Sequence, residues 1–152
     1  MSIKPIYTAI ATATGGRNGH VESSDGILNL EVRMPKEFGT PGGAYTNPEQ
    51  LFAAGYAACF GSAVARVIQT GKLHAGAQTV RAHVAIGANE NGVGFGLAVV
   101  LEVNIADVDE ETAKSIAEQA HQICPYSNAT RGNIEVELKT TNLSADEFAA
   151  VA

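Results

Sequence analysis

The stretch Leu51-Phe-Ala-Ala-Gly-Tyr-Ala-Ala-Cys-Phe-Gly-Ser-Ala-Val-Ala65 carries no charged side chain and, wound as a helix, is apolar or small on nearly every face. A helix without a water-facing side must be buried all round. A membrane span needs about 20 apolar residues, and Arg66 ends this run too early for that. The helix is therefore expected at the centre of a fold, with everything else arranged to cover it. Its start is marked by Asn47-Pro-Glu-Gln50, with Asn as the cap, Pro at the first helical position and Gln50 placed to close a capping box. The pattern predicts a helix to about Thr70, stopped by Gly71.

The flanking segments read as strands and one further helix. Residues 6–14 are β-branched and roughly alternating, which predicts a strand. Gly15-Gly-Arg-Asn-Gly19 and Ser24-Asp-Gly26 are turn signals. In residues 28–34, Leu28, Leu30, Val32 and Met34 alternate with Asn29, Glu31 and Arg33, the mark of a half-buried strand. An opening three-stranded meander follows, then a loop from Pro35 to Asn47. Beyond the apolar helix, Val80, Ala82, Val84 and Ile86 predict one strand, Asn89-Glu-Asn-Gly92 a turn, and Phe95 to Ile105 the return strand. Asp107-Val-Asp-Glu110 opens a second helix with the stripe Ala113, Ile116, Ala117, Ala120 and Cys124, and residues 133–139 close as a strand. The order is βββ-α-ββ-α-β, an α+β fold with a long buried central helix packed on antiparallel sheets. With 152 residues, no internal repeat and no linker, one domain over 1–152 is expected.

Charge narrows the functional classes. The chain carries net charge −6, and its ten Lys and Arg form no run, so neither a nucleic-acid partner nor docking on an anionic membrane is expected. The N-terminal Met-Ser-Ile-Lys-Pro lacks an apolar core, so no secretory signal is expected. Two cysteines in such a chain point to the cytoplasm, where a disulfide is transient and catalytic rather than structural.

Those cysteines occupy unlike settings. Cys59 lies inside the apolar helix and is expected to be shielded; Cys124 lies where Pro125 stops the second helix and is expected to be mobile. A two-thiol redox cycle needs such a pair, one sulfur attacking and the other resolving the product as a disulfide. Buried cysteines also serve simply as small hydrophobes. Desolvation would hold Cys59 in its neutral form, so catalysis there requires a cation. Arg17, in a glycine-flanked turn, is the candidate, with the Glu49 carboxylate as its partner. The plain alternatives are a solvated loop residue for Arg17 and helix-dipole complementation for Glu49. No zinc-type spacing links His20, His74, His83 and His121. A cysteine hydrolase with His121 as base, and a thiol redox sensor without rapid turnover, remain open on the residues alone.

Longer motifs narrow the choice. Asn47-Pro-Glu-Gln-Leu-Phe-Ala-Ala-Gly-Tyr-Ala-Ala-Cys-Phe60 and Cys124-Pro-Tyr-Ser-Asn-Ala-Thr-Arg-Gly-Asn133 resemble the two signatures of the organic hydroperoxide resistance proteins. Gly15-Gly-Arg17, Ser24-Asp-Gly-Ile-Leu28 and Pro41-Gly-Gly43 fit the same pattern. The related osmotically inducible proteins share the fold and both thiols, and a peroxidase of that type is the alternative. The resemblance implies a cytosolic peroxidase for organic hydroperoxides, with Cys59 as the peroxidatic thiol, Cys124 as the resolving thiol, and Arg17 and Glu49 as the activating pair. It implies an intertwined homodimer with no bound cofactor, recycled by a dithiol reductant, a lipoylated protein. Phe52 and Tyr56, with Ala63, are expected to form or back an apolar substrate pocket. Glu49 and Cys59 lie ten residues apart, about 15 Å along a helix, so one guanidinium can serve both only if they come from different subunits or the helix breaks.

Overall fold

Short turns and close backbone approaches set the first strands. The computed structural model describes residues 3–151, and the chain divides into two compact units, Met1–Leu51 and Phe52–Ala152. In the first unit, β1 (Ala11–Thr14), β2 (Gly19–Ser23) and β3 (Asn29–Val32) form the expected antiparallel meander. A Cβ on Gly19 would stand 1.8 Å from the Thr14 carbonyl oxygen, so only glycine lets the chain reverse there. The strand expected over residues 6–14 pairs only from Ala11. β2 ends at Ser23, opposite Ala11, and beyond it the Ser24 N–H reaches the Ile10 carbonyl (2.9 Å). Ile6, Tyr7 and Ile10 are left exposed. Val32 is buried and bridges to Thr46, which delivers the chain to the next helix.

Helix α1 runs Pro48–Gly71. The Asn47 side-chain oxygen accepts from the Gln50 N–H (2.8 Å), as expected of the cap. The expected capping box does not close: the Gln50 side-chain oxygen Oε1 instead accepts from the Thr46 hydroxyl (3.1 Å). The helix continues through Arg66, and by length and composition its 24 residues are long and apolar enough to cross a bilayer, which the uncharged stretch alone is not. Tyr56, Phe60, Ala63, Val64 and Val67 are buried, while Ala54, Ala58, Ser62, Ala65 and Arg66 are exposed. In the single chain, then, the expected burial is met on one side of the helix only. The stop also differs in detail from the expectation. Lys72, not Gly71, takes the left-handed conformation (φ 52°). The Leu73 N–H bonds the Ile68 carbonyl (3.0 Å) and the Lys72 N–H bonds the Gln69 carbonyl (3.2 Å), which is the Schellman arrangement.

In the second unit, β4 (Gln78–Ala88) and β5 (Phe95–Ile105) pair antiparallel along eleven residues. β6 (Val136–Thr141) pairs with β5 in parallel, so the second sheet is mixed rather than antiparallel. The helices between β5 and β6 supply the crossover that a parallel pair requires. The alternating residues Val99, Leu101, Val103 and Ile105 share one core with the buried stripe of α1 and with Ala113, Ile116, Ala117 and Ala120 of α2 (Glu110–Ile123). Asp109 caps α2 by accepting from the Thr112 N–H (2.7 Å). Two short helices were not expected: α3 (Pro125–Thr130) directly after α2, and α4 (Ala145–Ala150), opened by a Ser144–Glu147 capping box. Asn104 is fully buried and fully paired. It donates to the Leu143 carbonyl (2.9 Å) and accepts from the Thr141 hydroxyl (2.8 Å) and the Leu143 N–H (2.9 Å), fixing the chain between β6 and α4.

A side chain held left-handed at Lys72 costs about 1 kcal/mol or more relative to glycine. Lys72→Gly is therefore expected to raise Tm by about 2–4 °C for a chain of this size, measured by thermal denaturation. An unchanged or lower Tm would show that the lysine side chain contributes more than the strain removes.

Candidate active site

The cysteine pair is built by α1 and by the corner between α2 and α3. Cys59 sits one residue before the buried Phe60, at the edge of the inward stripe of α1, and is half-buried. Cys124 is 0% exposed. This reverses the expected division, in which Cys59 was the shielded thiol and Cys124 the mobile one. Pro125 does not loosen the chain; it stands at the first position of α3. Cys124 ends one helix and begins the next. Its N–H bonds the Ala120 carbonyl (2.9 Å), and its carbonyl accepts from the Asn128 N–H (2.9 Å). Arg131 clasps the same corner, donating to the Asn128 side chain (2.8 Å) and to the His121 carbonyl. The two sulfurs lie 3.5 Å apart, with both cysteines as free thiols. A disulfide bond is about 2.05 Å long, so bonding asks for an approach of roughly 1.5 Å.

Burial pushes the Cys59 thiol up, the Tyr126 backbone N–H pulls it back, and Cys124 adds a further rise; the net direction is upward. Only the thiolate attacks, so this upward direction works against Cys59 as a nucleophile.

In the first unit, Arg17 and Glu49 meet as the sequence predicts. Both terminal guanidinium nitrogens donate to the two carboxylate oxygens, at 2.9 and 2.7 Å. The Glu49 side chain is only 13% exposed. The guanidinium holds its carboxyl below the usual range, and the carboxylate in turn raises Arg17. Such a two-pronged pair fixes the orientation of both planes, which a lysine could not do.

Rings cluster around the thiols. Phe52 packs edge-on against Tyr56 (5.9 Å between centroids), and Tyr126 lies 6.0 Å from Phe52 and 5.6 Å from Tyr56. Phe52 is half-buried and Tyr126 exposed, whereas Tyr56 is fully buried. Tyr56 and Ala63 thus belong to the core, and Phe52 and Tyr126 are the more accessible rings. Tyr126, Ser127 and Thr130 were absent from the expected set. Tyr126 had a signal in Gly55. A mid-helix glycine costs about 0.5–1 kcal/mol relative to alanine, which asks for a reason, and a Cβ there would stand 3.0 Å from the Tyr126 hydroxyl. The hydroxyls of Ser127 and Thr130 both approach that of Tyr56, and nothing in their spacing distinguishes them from the other polar residues of the motif.

His121 has no recorded partner among the described residues that would orient it as a hydrolase base. Its Nδ1 is buried without a hydrogen-bond partner, its ring packs near Phe60, and burial, then the charge of Arg131, lowers its pKa. Nothing among the described residues orients it as a triad base would be oriented. Among the described residues, no group of three or more His, Cys, Asp or Glu side chains is placed to hold a metal ion.

The depressed Glu49 pKa carries a sign. Its stabilising effect is complete above the ordinary glutamate value of about 4.3 and is lost as pH falls through the lower folded value. Urea unfolding over a pH series should show stability falling below that range. Glu49→Gln should be less stable at neutral pH and flatter on the acid side. The same acid slope in both proteins would mean that the pair contributes nothing to folding.

Known proteins share this architecture. The family model described as OsmC-like protein matches residues 40–139. The organic hydroperoxide resistance protein of Xanthomonas axonopodis pv. citri (strain 306) is 48% identical over 136 residues, covering 89% of this chain and 94% of that protein. The crystal structure of an organic hydroperoxide resistance protein from Elizabethkingia anophelis superposes with a TM-score of 0.88 at 57% identity, covering 93% of this chain and 100% of the other. The organic hydroperoxide resistance protein OhrB of Bacillus subtilis superposes with a TM-score of 0.81 at 43% identity, over 90% of this chain and 100% of its own.

Proposed function

The chain belongs to the OsmC-like family, alongside the organic hydroperoxide resistance proteins, and from that premise we propose that it is a two-cysteine thiol peroxidase reducing organic hydroperoxides to alcohols in the cytoplasm. The observation that carries this reading is the sulfur pair: a partly exposed thiol 3.5 Å from a fully shielded one. The Cys59 thiolate attacks the distal oxygen of the hydroperoxide. The O–O bond breaks, Cys59 becomes a sulfenic acid, and the departing alkoxide takes up a proton to leave as the alcohol. The Cys124 sulfur then displaces the sulfenic oxygen as water and forms the Cys59–Cys124 disulfide. An external dithiol, by family resemblance a lipoylated protein, returns both sulfurs to thiols. No bound cofactor enters the cycle.

The upward push on Cys59 makes a cation necessary. Arg17, oriented by Glu49, is the group proposed to hold the thiolate and to stabilise charge as the O–O bond splits. α1 is unbroken from Pro48 to Gly71, so Glu49 and Cys59 of one chain are separated by about 15 Å along its axis. The Arg17–Glu49 pair is therefore proposed to serve Cys59 of a second copy in a homodimer. The exposed stripe Ala54, Ala58, Ser62 and Ala65 gives α1 a face for that copy to cover.

Steady-state peroxide consumption with a lipoyl dithiol tests the reading. tert-Butyl hydroperoxide should exceed hydrogen peroxide by orders of magnitude in kcat/KM, because each methylene buried against Phe52 and Tyr126 is worth about 0.8 kcal/mol, or roughly fourfold. Cys59→Ser should be inactive, and Cys124→Ser should consume one equivalent and stall. Near-native turnover by Cys59→Ser would sink the mechanism, and a disulfide formed once without turnover would indicate a redox sensor.

The two-chain site has its own test. Cys59→Ser and Glu49→Ala chains, each impaired alone, are mixed by refolding. A mixed dimer then carries one site with both defects and one intact, so activity should reappear. No recovery, or a monomer by light scattering, would end the two-chain proposal.

A further inference from the structure

Three buried hydroxyls join the two cysteine-bearing elements. Tyr56 lies three residues before Cys59 on α1, and Ser127 lies three residues after Cys124, on α3. The Tyr56 hydroxyl is 3.0 Å from Ser127 Oγ and 3.2 Å from Thr130 Oγ1, and all three side chains are buried. Thr130 also donates to the Tyr126 carbonyl (3.0 Å). Each hydroxyl has one proton to give. Only one order of the hydroxyls gives every proton an acceptor: Ser127 to Tyr56, Tyr56 to Thr130, and Thr130 to the backbone, at the Tyr126 carbonyl (3.0 Å) or the Ser127 carbonyl (3.2 Å). The chain of bonds is thus fully satisfied and directional. Removing Tyr56 or Thr130 leaves a buried hydroxyl proton without its acceptor, and removing Ser127 takes away the bond that Tyr56 accepts.

Besides the sulfur pair and the Tyr126 N–H beside Cys59, the elements meet through aromatic rings, and such surfaces pack without a fixed direction. The hydroxyl chain is different, because it has one geometry. It sets α3 on α1 one turn from each sulfur. We propose that Tyr56, Ser127 and Thr130 are positioning residues for the resolving step, fixing Cys124 in line with the Cys59 sulfenic acid. The inference rests on the peroxidase reading above. In that step the Cys124 sulfur bonds the Cys59 sulfur, the S–O bond breaks, and the hydroxyl leaves with the Cys124 proton as water. Cys124 is fully shielded and cannot search for its partner, so the starting separation of 3.5 Å has to be right. A misplacement of about 1 Å can cost roughly a hundredfold in such a reaction. A sulfenic acid that waits meets a second peroxide and goes to sulfinic acid, which a dithiol does not reverse. The hydroxyl chain would therefore also protect the enzyme from inactivation by its own substrate.

The test is single turnover. Reduced protein receives one equivalent of tert-butyl hydroperoxide, is quenched with a thiol alkylator over a time course, and is read by intact mass. This separates the sulfenic acid from the disulfide. Thr130→Val, Ser127→Ala and Tyr56→Phe should each slow disulfide formation by at least about fivefold, the rate equivalent of one ordinary hydrogen bond. Each should also accumulate more sulfinic acid under excess peroxide. Thr130→Ser, which keeps the hydroxyl, should resolve at the wild-type rate. The double variant Tyr56→Phe/Ser127→Ala should be no slower than its slower parent, since both break one chain of bonds. Tyr56→Phe removes a single oxygen and keeps the ring, so it reads the step even if Thr130→Val fails to fold. Variants that lose thermal stability but resolve at the wild-type rate would overturn the inference and leave the peroxidase reading intact. A wild-type protein that forms no Cys59–Cys124 disulfide would overturn both.

Discussion

One side of α1 has to be seated in a core, and the second unit is patterned to receive it. The inward residues Tyr56, Phe60, Ala63, Val64 and Val67 follow helical spacing. The surfaces that meet them are the alternating valines and leucines of β5 and the alanine-rich stripe of α2. Ala120 and Cys124 continue the small-residue stripe of α2 to the end of the helix. The position of the reactive pair follows from this seating. Cys59 precedes Phe60 and so falls at the edge of the buried stripe, partly open to solvent. Cys124 follows Ala120 by one turn and so falls inside. The same packing that stabilises the unit decides which sulfur is open to solvent.

That packing works against the chemistry it positions. Moving a thiol out of water favours its neutral form, and the recorded net effect at Cys59 is upward. The Tyr126 N–H opposes the rise without cancelling it. Arg17, locked to Glu49 through two hydrogen bonds, is a cation whose orientation is already fixed.

The fold was legible wherever a period was clean. β4, β5 and the buried stripe of α2 were read from alternation or helical spacing, and the cap at Asn47 from its residue type. Illegible features depended on partners far away in sequence. Residues 6–10 look like strand, but β2 ends too soon to pair with them. β6 pairs in parallel because of where the crossover delivers it, which no local pattern encodes. Pro125 was read as a stop and is also a start, since proline suits both the end of one helix and the first turn of the next. That double use inverted the expected exposure of the two thiols. Lys72 takes a conformation its type disfavours because the preceding helix has to end before Leu73 folds back on Ile68. At the candidate site, the cysteines and the Arg17–Glu49 pair were legible from residue type and motif. Tyr126 was legible only through the anomaly of Gly55.

Several residues that break the hydrophobic pattern in the second unit lie on the two elements that carry the sulfurs. Gly55 weakens α1 where Tyr126 crosses it. Tyr56, Ser127 and Thr130 bring three hydroxyls into a site that phenylalanine, alanine and valine would fill with fewer demands. Departures of this kind are expected where a protein needs one arrangement rather than merely a stable one. An all-apolar contact between α1 and α3 would tolerate small slips, because dispersion contacts change little over a fraction of an ångström. Hydrogen bonds do not share that tolerance. A pair of sulfurs that must close by about 1.5 Å, and no further, to reach bonding distance has a use for that intolerance.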